Sequence, residues 1–214
     1  MNRSRTSNIQ HRTSNIERRE SKIRQAWLVL VMALVLAGGC QYNRLTLVNY
    51  ADAEKPQTLE QAFSRSAFSK NAAGEYEILL QSSEPIAQGR DRVLKQSVYA
   101  ATLWNPIPGK TYAESSQINA RIIYLVEIAP EPGSVVVSEG GKTILCYKGS
   151  GFISYALDRT GQTLTGRIEQ ALLAPAQKKG GYRLGTFDLS GDFKAVYDHG
   201  AVGEFKMTSS NYFR

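Results

Sequence analysis

The residue types that most often carry out nucleophilic catalysis meet at one point of the chain. Asp198 directly precedes His199, and a carboxylate beside an imidazole supplies two members of a Ser-His-Asp triad. Many such hydrolases hold their serine in a Gly-x-Ser-x-Gly elbow, and the sequence contains none. Asp-His-Gly between apolar runs is also common turn chemistry. We therefore predict a turn at Asp198–Gly200 and assign no catalytic residue.

Two Gly-Lys-Thr triplets resemble the end of a phosphate-binding loop. They occur at Gly109–Thr111 and at Gly141–Thr143. That loop also needs a glycine five residues before its Gly-Lys pair. Trp104 and Val136 occupy those places, so both triplets are interpreted as ordinary loop or turn residues.

Metal ligands are scarce in the chain that follows Cys40. His199 and Cys146 are its histidine and its remaining cysteine, whereas zinc sites draw on several such ligands. We predict no metal site and no cofactor. Cys146 lies in an apolar, strand-like run, ILCY, and is predicted to be a buried residue with a packing role.

Aromatic residues flank one proline-bearing loop. Trp104 and Tyr112 enclose the sequence NPIPGKT, which contains Lys110. Aromatic side chains on a rigid loop can stack on sugars or contact a peptide, although they also serve as core residues. Trp104, Lys110 and Tyr112 are our predicted binding loop, with a protein or a glycan as its ligand.

A short apolar run near the N-terminus has the composition of an export signal. Ala26–Ala37 contains twelve uncharged residues and follows Lys22 and Arg24. A membrane-spanning helix needs roughly 20 apolar residues, so this run is too short. A basic region, a short apolar core and small residues before a cleavage point are typical of a secretory signal.

The end of this run, Leu36–Cys40 (LAGGC), resembles the lipobox of bacterial lipoproteins. Ala37 stands where that family prefers leucine. The resemblance implies that the Cys40 thiol carries a diacylglycerol, that residues 1–39 are removed, and that the new amine is acylated, with palmitate as a typical chain. Two or three acyl chains anchor a protein stably. An ordinary secretory signal cut nearby is the alternative.

Charge and location follow from the same segment. The chain has a net charge of +7, but residues 1–39 hold seven Lys/Arg against two Glu, so the remainder has a net charge of +2. Nucleic-acid binding needs a clustered basic face, and we predict no such partner. Because Gln41 and not Asp follows Cys40, the lipoprotein resemblance favours the outer membrane, facing the periplasm.

After this signal, the sequence predicts a tether and one folded domain. Residues 40–57 are interpreted as a lipid-anchored tether and residues 58–214 as a single β-rich domain. Thr58 and Gln61 fit a capping box, and apolar residues at helical spacing follow, so we predict a short helix at Leu59–Ser69.

The remaining pattern is that of β-strands separated by turns. Ile118–Ile128 is predicted as a central strand, with a buried helix as the alternative, and Gly185–Asp198 as either one strand or a hairpin. Turns are predicted at Glu139–Lys142, Asp158–Gln162 and Lys178–Gly181. The other predicted strands are Glu75–Gln81, Gln96–Trp104, Val135–Ser138, Lys142–Tyr147, Gly151–Leu157, Thr163–Leu173 and Gly203–Met207.

Short strands without alternating helices predict a mainly β protein, either an antiparallel sandwich or a partly closed barrel, with one short N-terminal helix. The functional hypothesis is a lipid-anchored envelope protein with a non-catalytic binding or structural domain. The alternatives are an envelope hydrolase acting on cell-wall or carbohydrate material, with carboxylates from different strands, and a subunit of a larger envelope assembly.

The anchoring hypothesis predicts a specific defect for Cys40→Ser. Because the thiol is the attachment point for lipid, we expect the variant to lose acyl labelling and to move from the membrane pellet to the soluble fraction. The measurement is metabolic labelling with a fatty acid, followed by fractionation. A variant that labels and sediments like the parent protein would show that Cys40 is not lipidated.

Overall fold

The computed structural model describes residues 43–50, 55–82, 93–106, 118–128, 143–176 and 185–213. Cys40, Lys110 and Tyr112 lie outside these ranges, as do the turns predicted at Glu139–Lys142 and Lys178–Gly181. The described elements are nine strands, one α-helix and a 3-10 turn at Ser210–Tyr212. The strands are β1 (Arg44–Asn49), β2 (Gln57–Ala62), β3 (Arg65–Lys70), β4 (Tyr76–Ser82), β5 (Val93–Thr102), β6 (Ala120–Ile128), β7 (Thr143–Leu157), β8 (Thr163–Pro175) and β9 (Phe187–Tyr197), and the helix is α1 (His199–Thr208).

The strands form a closed barrel with a two-strand extension. Neighbours follow the order β2-β1-β9-β3-β4-β5-β6-β7-β8, and β8 also pairs with β9. Seven strands, β3 to β9, therefore close on themselves, while β1 and β2 extend from β9. The β3–β9 pair is parallel, and the other pairs of the ring are antiparallel. The protein is mainly β, as predicted, and a barrel describes it better than a sandwich.

One edge of β9 is shared by two strands. β1 pairs with Phe187–Asp192, and β3 pairs with Val196–Tyr197. Between them, side chains replace the missing backbone partners of Lys194. The Asn43 Oδ1 atom accepts the Lys194 N–H at 2.8 Å, and the Ser66 hydroxyl donates to the Lys194 carbonyl at 2.7 Å. The pairing along β9 therefore continues where β1 ends and β3 begins.

Side chains fill the inside of the barrel. Tyr124, Tyr147 and Phe187 lie in mutual contact, with ring centroids 5.1 to 6.0 Å apart. The Tyr124 hydroxyl donates to Gln96 at 2.6 Å, and the Gln96 amide donates to Gln61 at 3.1 Å. The buried side chains of Tyr124, Gln96 and Gln61 thus serve as hydrogen-bond partners for one another.

A second apolar layer lies between the barrel wall and α1. Val202 and Phe205 of α1 are buried against Ala67, Leu79 and Tyr99 of the neighbouring strands. Residues three apart fall on one face of a helix, so Val202 and Phe205 both point at the wall. Because α1 covers the outer face of β3 and β4, these strands are buried on both faces.

The α1 layer also contains a buried carboxylate, Glu77. It accepts hydrogen bonds from the Lys206 ammonium at 2.5 Å, the Tyr99 hydroxyl at 2.8 Å and the Ser69 hydroxyl at 3.1 Å. Burial disfavours the charged form, but the three donors, led by Lys206, outweigh it and hold the pKa of Glu77 below its usual value. The ion pair ties α1 to β4.

The predicted helix at Leu59–Ser69 is wrong, because this segment forms β2 and β3. Thr58 and Gln61 lie within β2 and do not cap a helix. Phe63 interrupts the two strands, and β3 has apolar residues on both faces. The interruption between the strands and the burial of β3 on both faces placed apolar residues three and four positions apart. This spacing is the one expected for an amphipathic helix.

The predicted strand Gly203–Met207 is also wrong, since these residues belong to α1. The predicted turn at Asp198–Gly200 is instead the start of this helix. Asp198 is the N-cap, and its carboxylate accepts the Ala201 N–H at 2.9 Å. A carboxylate is favourable there because it satisfies an otherwise unpaired amide. The α-helix of the described domain therefore lies near its C-terminus and not, as predicted, near its N-terminus.

Several further boundaries are corrected or confirmed. Arg44–Asn49 lies within the predicted tether at residues 40–57 and forms strand β1, in which Leu45 and Leu47 are fully buried. Lys142–Tyr147 and Gly151–Leu157 merge into β7. Gly185–Asp198 contains one strand, β9. The strand at Ile118–Ile128, the Asp158–Gln162 turn and the burial of Cys146 are confirmed.

Gly191 makes possible the contact between β9 and β1. Its φ is +141°, and a Cβ placed there would lie 2.2 Å from the Arg44 carbonyl oxygen. We expect Gly191→Ala to lower the free energy of unfolding by roughly 2–4 kcal/mol, because it adds a clash and backbone strain. Denaturant unfolding monitored by circular dichroism measures this change.

Gly203 is the matched control. It lies in α1, and a Cβ there would meet no atom within 4 Å. We expect Gly203→Ala to raise the free energy of unfolding by about 0.5–1 kcal/mol, since alanine is the better helix former. Equal effects of the two substitutions would contradict the close approach of β1 to β9.

Glu77→Gln tests the buried ion pair. We expect the free energy of unfolding at pH 7 to fall by roughly 1.5–3 kcal/mol, the range for hydrogen bonds to charged groups. Because the folded pKa of Glu77 is lowered, its stabilisation is present above the ordinary glutamate pKa of about 4.3 and is lost as pH falls through the folded pKa. The difference between wild type and Glu77→Gln should therefore shrink in acid.

Denaturant titrations at several pH values provide the measurement. Glu204→Gln is the control, because Glu204 is an exposed carboxylate of the same helix. A gap between wild type and Glu77→Gln that stays constant down to the lowest pH would show that Glu77 does not carry this linkage.

Candidate functional site

The barrel has one end where aromatic side chains reach solvent. There β3, β5, β7 and β9 finish, and β4, β6 and β8 begin. We call this end the mouth. Inward-facing residues in the middle of each strand are covered by the opposite wall, whereas those at the strand ends are covered on one side only. Large side chains at these final inward positions therefore remain partly exposed.

Four aromatic rings form a continuous arc at the mouth. Phe68, Tyr76, Tyr155 and Tyr197 make up this tyrosine arc. Tyr155 lies against Tyr76 at 5.3 Å, Tyr76 against Phe68 at 6.1 Å, and Phe68 against Tyr197 at 5.5 Å between ring centroids. Edge-to-face and tilted contacts of this kind are favourable. Tyr197 is 45% exposed, so the arc runs from the core to the surface.

Polar groups fix the orientation of the arc. The Tyr155 hydroxyl donates to the Asn105 side-chain oxygen at 2.5 Å, and the Tyr76 N–H donates to the Thr102 hydroxyl at 2.8 Å. Burial raises the pKa of Tyr155 to about 12, so its hydroxyl is a hydrogen-bond donor at neutral pH. The Lys70 ammonium lies 5.6 Å from the centre of the Tyr76 ring, within cation–π range.

A second exposed group borders the arc. Leu103, Trp104 and Ile118, which we call the Trp104 edge, are all exposed, with Trp104 at 40%. The indole N–H donates to the Ile118 carbonyl at 3.0 Å, and the ring contacts Phe152 at 6.1 Å. Asn105 follows Trp104 directly and bonds to Tyr155, so the Trp104 edge and the tyrosine arc form one surface.

Asn119 holds the strand ends in place beneath this surface. Its side-chain oxygen accepts the Ile153 N–H at 2.7 Å, and its amide donates to the Ile153 carbonyl at 2.8 Å. These two bonds act like a strand pairing at the point where β7 continues past the start of β6. Asn119 is fully buried, and buried amide bonds of this kind restrict movement.

The structure places part of the predicted binding loop at the mouth. Trp104 lies there, while Tyr112 and Lys110 lie outside the described residues. Tyr99 and Tyr124, which share an aromatic-rich region of the sequence with Trp104, are core residues. The tyrosine arc was not predicted from the sequence. The sequence pattern that could have predicted it is the alternation of inward-facing residues, which continues to the strand ends at Tyr76, Tyr155 and Tyr197.

The groups considered for catalysis are used elsewhere. Asp198 caps α1, and His199 is an exposed residue in its first turn. Burial raises the pKa of the Cys146 thiol, which disfavours the nucleophilic thiolate. A cavity of about 340 Å³ lies between β3 and the start of α1, and Asp198 is the carboxylate among its described lining residues. Within the described ranges, no three His, Cys, Asp or Glu residues are grouped so as to hold a metal ion.

No helix in the described ranges has both the length and the apolar character needed to cross a membrane. No protein-family model matches the chain, no curated protein matches it, and no solved structure matches it. The residues and the geometry of this chain are therefore the basis on which its function can be inferred.

Proposed function

We propose that this chain is a lipid-anchored protein of the bacterial cell envelope, and that its barrel is a non-catalytic binding or structural module. The anchor is Cys40, in the lipobox-like segment Leu36–Cys40. The outer membrane, on its periplasmic side, is the proposed location because Gln41 follows Cys40. The ligand surface is the mouth, formed by the tyrosine arc and the Trp104 edge.

The observation that carries the binding proposal is the concentration of exposed aromatic groups at one end of a filled barrel. Tyr197 and Trp104 are each exposed by two fifths or more, although Phe68 and Phe152 hold their inner sides. Aromatic residues are enriched at binding surfaces, because they offer a large contact area at a low entropic cost. A ring fixed by packing is already in its binding orientation.

The chemistry of the mouth suits a glycan or a peptide segment. Planar rings contact the apolar faces of sugars and the side chains of peptides. The exposed Asn105 side chain and the hydroxyl of Tyr155 lie beside these rings and can order a polar ligand. In the cell envelope, both cell-wall glycan and other proteins are available to an anchored domain.

Substitutions at the mouth test this proposal. We expect mature, detergent-solubilised protein to sediment with purified cell-wall sacculi. Trp104→Ala and Tyr197→Ala should weaken that binding roughly 5- to 30-fold, which corresponds to about 1–2 kcal/mol per aromatic contact. Sedimentation at increasing amounts of sacculi gives the binding curve.

Two other exposed apolar residues supply controls. Leu172 lies on β8 and Met207 on α1, both outside the mouth, and their alanine variants should bind like wild type. Equal losses in all four variants, or none in the mouth variants, would argue against a glycan site at the mouth. If the partner is a protein, sacculus binding is absent and the mouth variants instead lose co-purifying envelope proteins.

A further inference from the structure

A cavity of about 340 Å³ lies on the outer wall of the barrel, beside the start of α1. β3 and β4 form its floor, the last residues of β9 form one side, and the first turn of α1 forms another. Sites for small molecules in proteins have volumes of about 300 to 1,000 Å³. This cavity is at the lower end of that range and therefore suits a ligand with few heavy atoms.

One part of the cavity is apolar and the other part is polar. Ala67 and Leu79 pack beneath α1 together with Ala201, and the short side chains of the two alanines leave space between the helix and the wall. Arg65 and Gln81 are opposite each other two residues farther along β3 and β4. Because alternate residues of a strand share a face, Arg65 and Gln81 extend the outer wall beyond the edge of the helix.

Two opposite charges approach the cavity from different ends. The Asp198 N–H donates to the Phe68 carbonyl at 2.9 Å, and Phe68 lies three residues beyond Arg65 on β3, which is about 10 Å along an extended strand. The Asp198 Oδ1 atom caps α1. Among the described residues, Arg65 forms no ion pair with Asp198 or with any other carboxylate. The cavity thus offers a cation and an anion that do not neutralise each other.

We propose that this cavity binds a small aliphatic zwitterion, such as an amino acid or a short peptide. The Arg65 guanidinium receives the ligand carboxylate, since its planar group can make two parallel hydrogen bonds to a carboxylate. Asp198 receives the ligand ammonium, and the aliphatic side chain contacts Ala67, Leu79 and Val196. A ligand with one charge would leave the other protein charge without a partner. The site is separate from the mouth and does not require lipidation of Cys40.

Valine and its singly charged derivatives test the pairing of charges. We would measure saturation-transfer NMR of L-valine with the full chain in deuterated detergent, and we expect a saturable signal on the valine methyl groups. N-acetylvaline lacks the ammonium and valinamide lacks the carboxylate, so each should bind at least about tenfold more weakly. Glycine, which has no apolar side chain, should also bind more weakly than valine.

Two substitutions assign the charges to residues. Asp198→Asn removes the carboxylate but retains a side chain that is favoured at a helix N-cap, and Arg65→Gln removes the guanidinium. Each should weaken valine binding at least about tenfold. Each should also lose one discrimination, because Asp198→Asn no longer prefers valine to N-acetylvaline and Arg65→Gln no longer prefers valine to valinamide. A change that only loosened the fold would not produce this exchange of preferences.

Glu60→Gln and Arg121→Gln are the matched controls, since both residues are exposed and neither lines the cavity. They should bind valine like wild type, and thermal unfolding should show that all four variants are folded. The proposal would be overturned if neither valine nor alanylvaline gave a saturable signal, or if the singly charged derivatives bound as well as valine. Losses in the cavity variants no greater than in the controls would also overturn it.

Two further measurements identify the ligand and the place where it binds. Tighter binding of valine would indicate free amino acids, tighter binding of alanylvaline would indicate short peptides, and either result supports a zwitterion site. Trp104→Ala should bind valine like wild type, because Trp104 lies at the mouth. Loss of valine binding in this variant would overturn the cavity as the site. Binding to sacculi is measured separately, so failure of the cavity proposal leaves the proposal for the mouth intact.

Discussion

The barrel depends on the way one strand edge is shared. β9 is bonded to β8 along one side, and along the other it is bonded first to β1 and then to β3. Asn43 and Ser66 supply the hydrogen bonds between these two partners. Without them the ring of seven strands would have an opening with unpaired backbone groups, which are costly in a sheet. The positive φ of Asn43, +71°, is a conformation that asparagine tolerates well.

Closure of the ring of strands determines where a ligand can bind. The interior is occupied by aromatic residues, among them Tyr124 and Phe187, and α1 covers the outer face of β3 and β4. A ligand must therefore use the remaining wall or an end of the barrel. At the mouth, the inward positions of the strands lack an opposite neighbour, and tyrosines fill them. The exposed aromatic surface thus arises from the same alternation that builds the core.

The sequence by itself determined the features that depend on neighbouring residues. These include the period of two in β4 and β9, the Asp158–Gln162 turn and the burial of Cys146, and the lipobox-like segment is read in the same local way. Tertiary structure alone decided that Leu59–Ser69 is extended, since β3 is buried by the barrel on one face and by α1 on the other, and a pattern of apolar residues cannot show which surface covers them. The tertiary structure also determined which residues form the mouth. Tyr76, Tyr155 and Tyr197 are distant in sequence, and only the strand register brings their rings together.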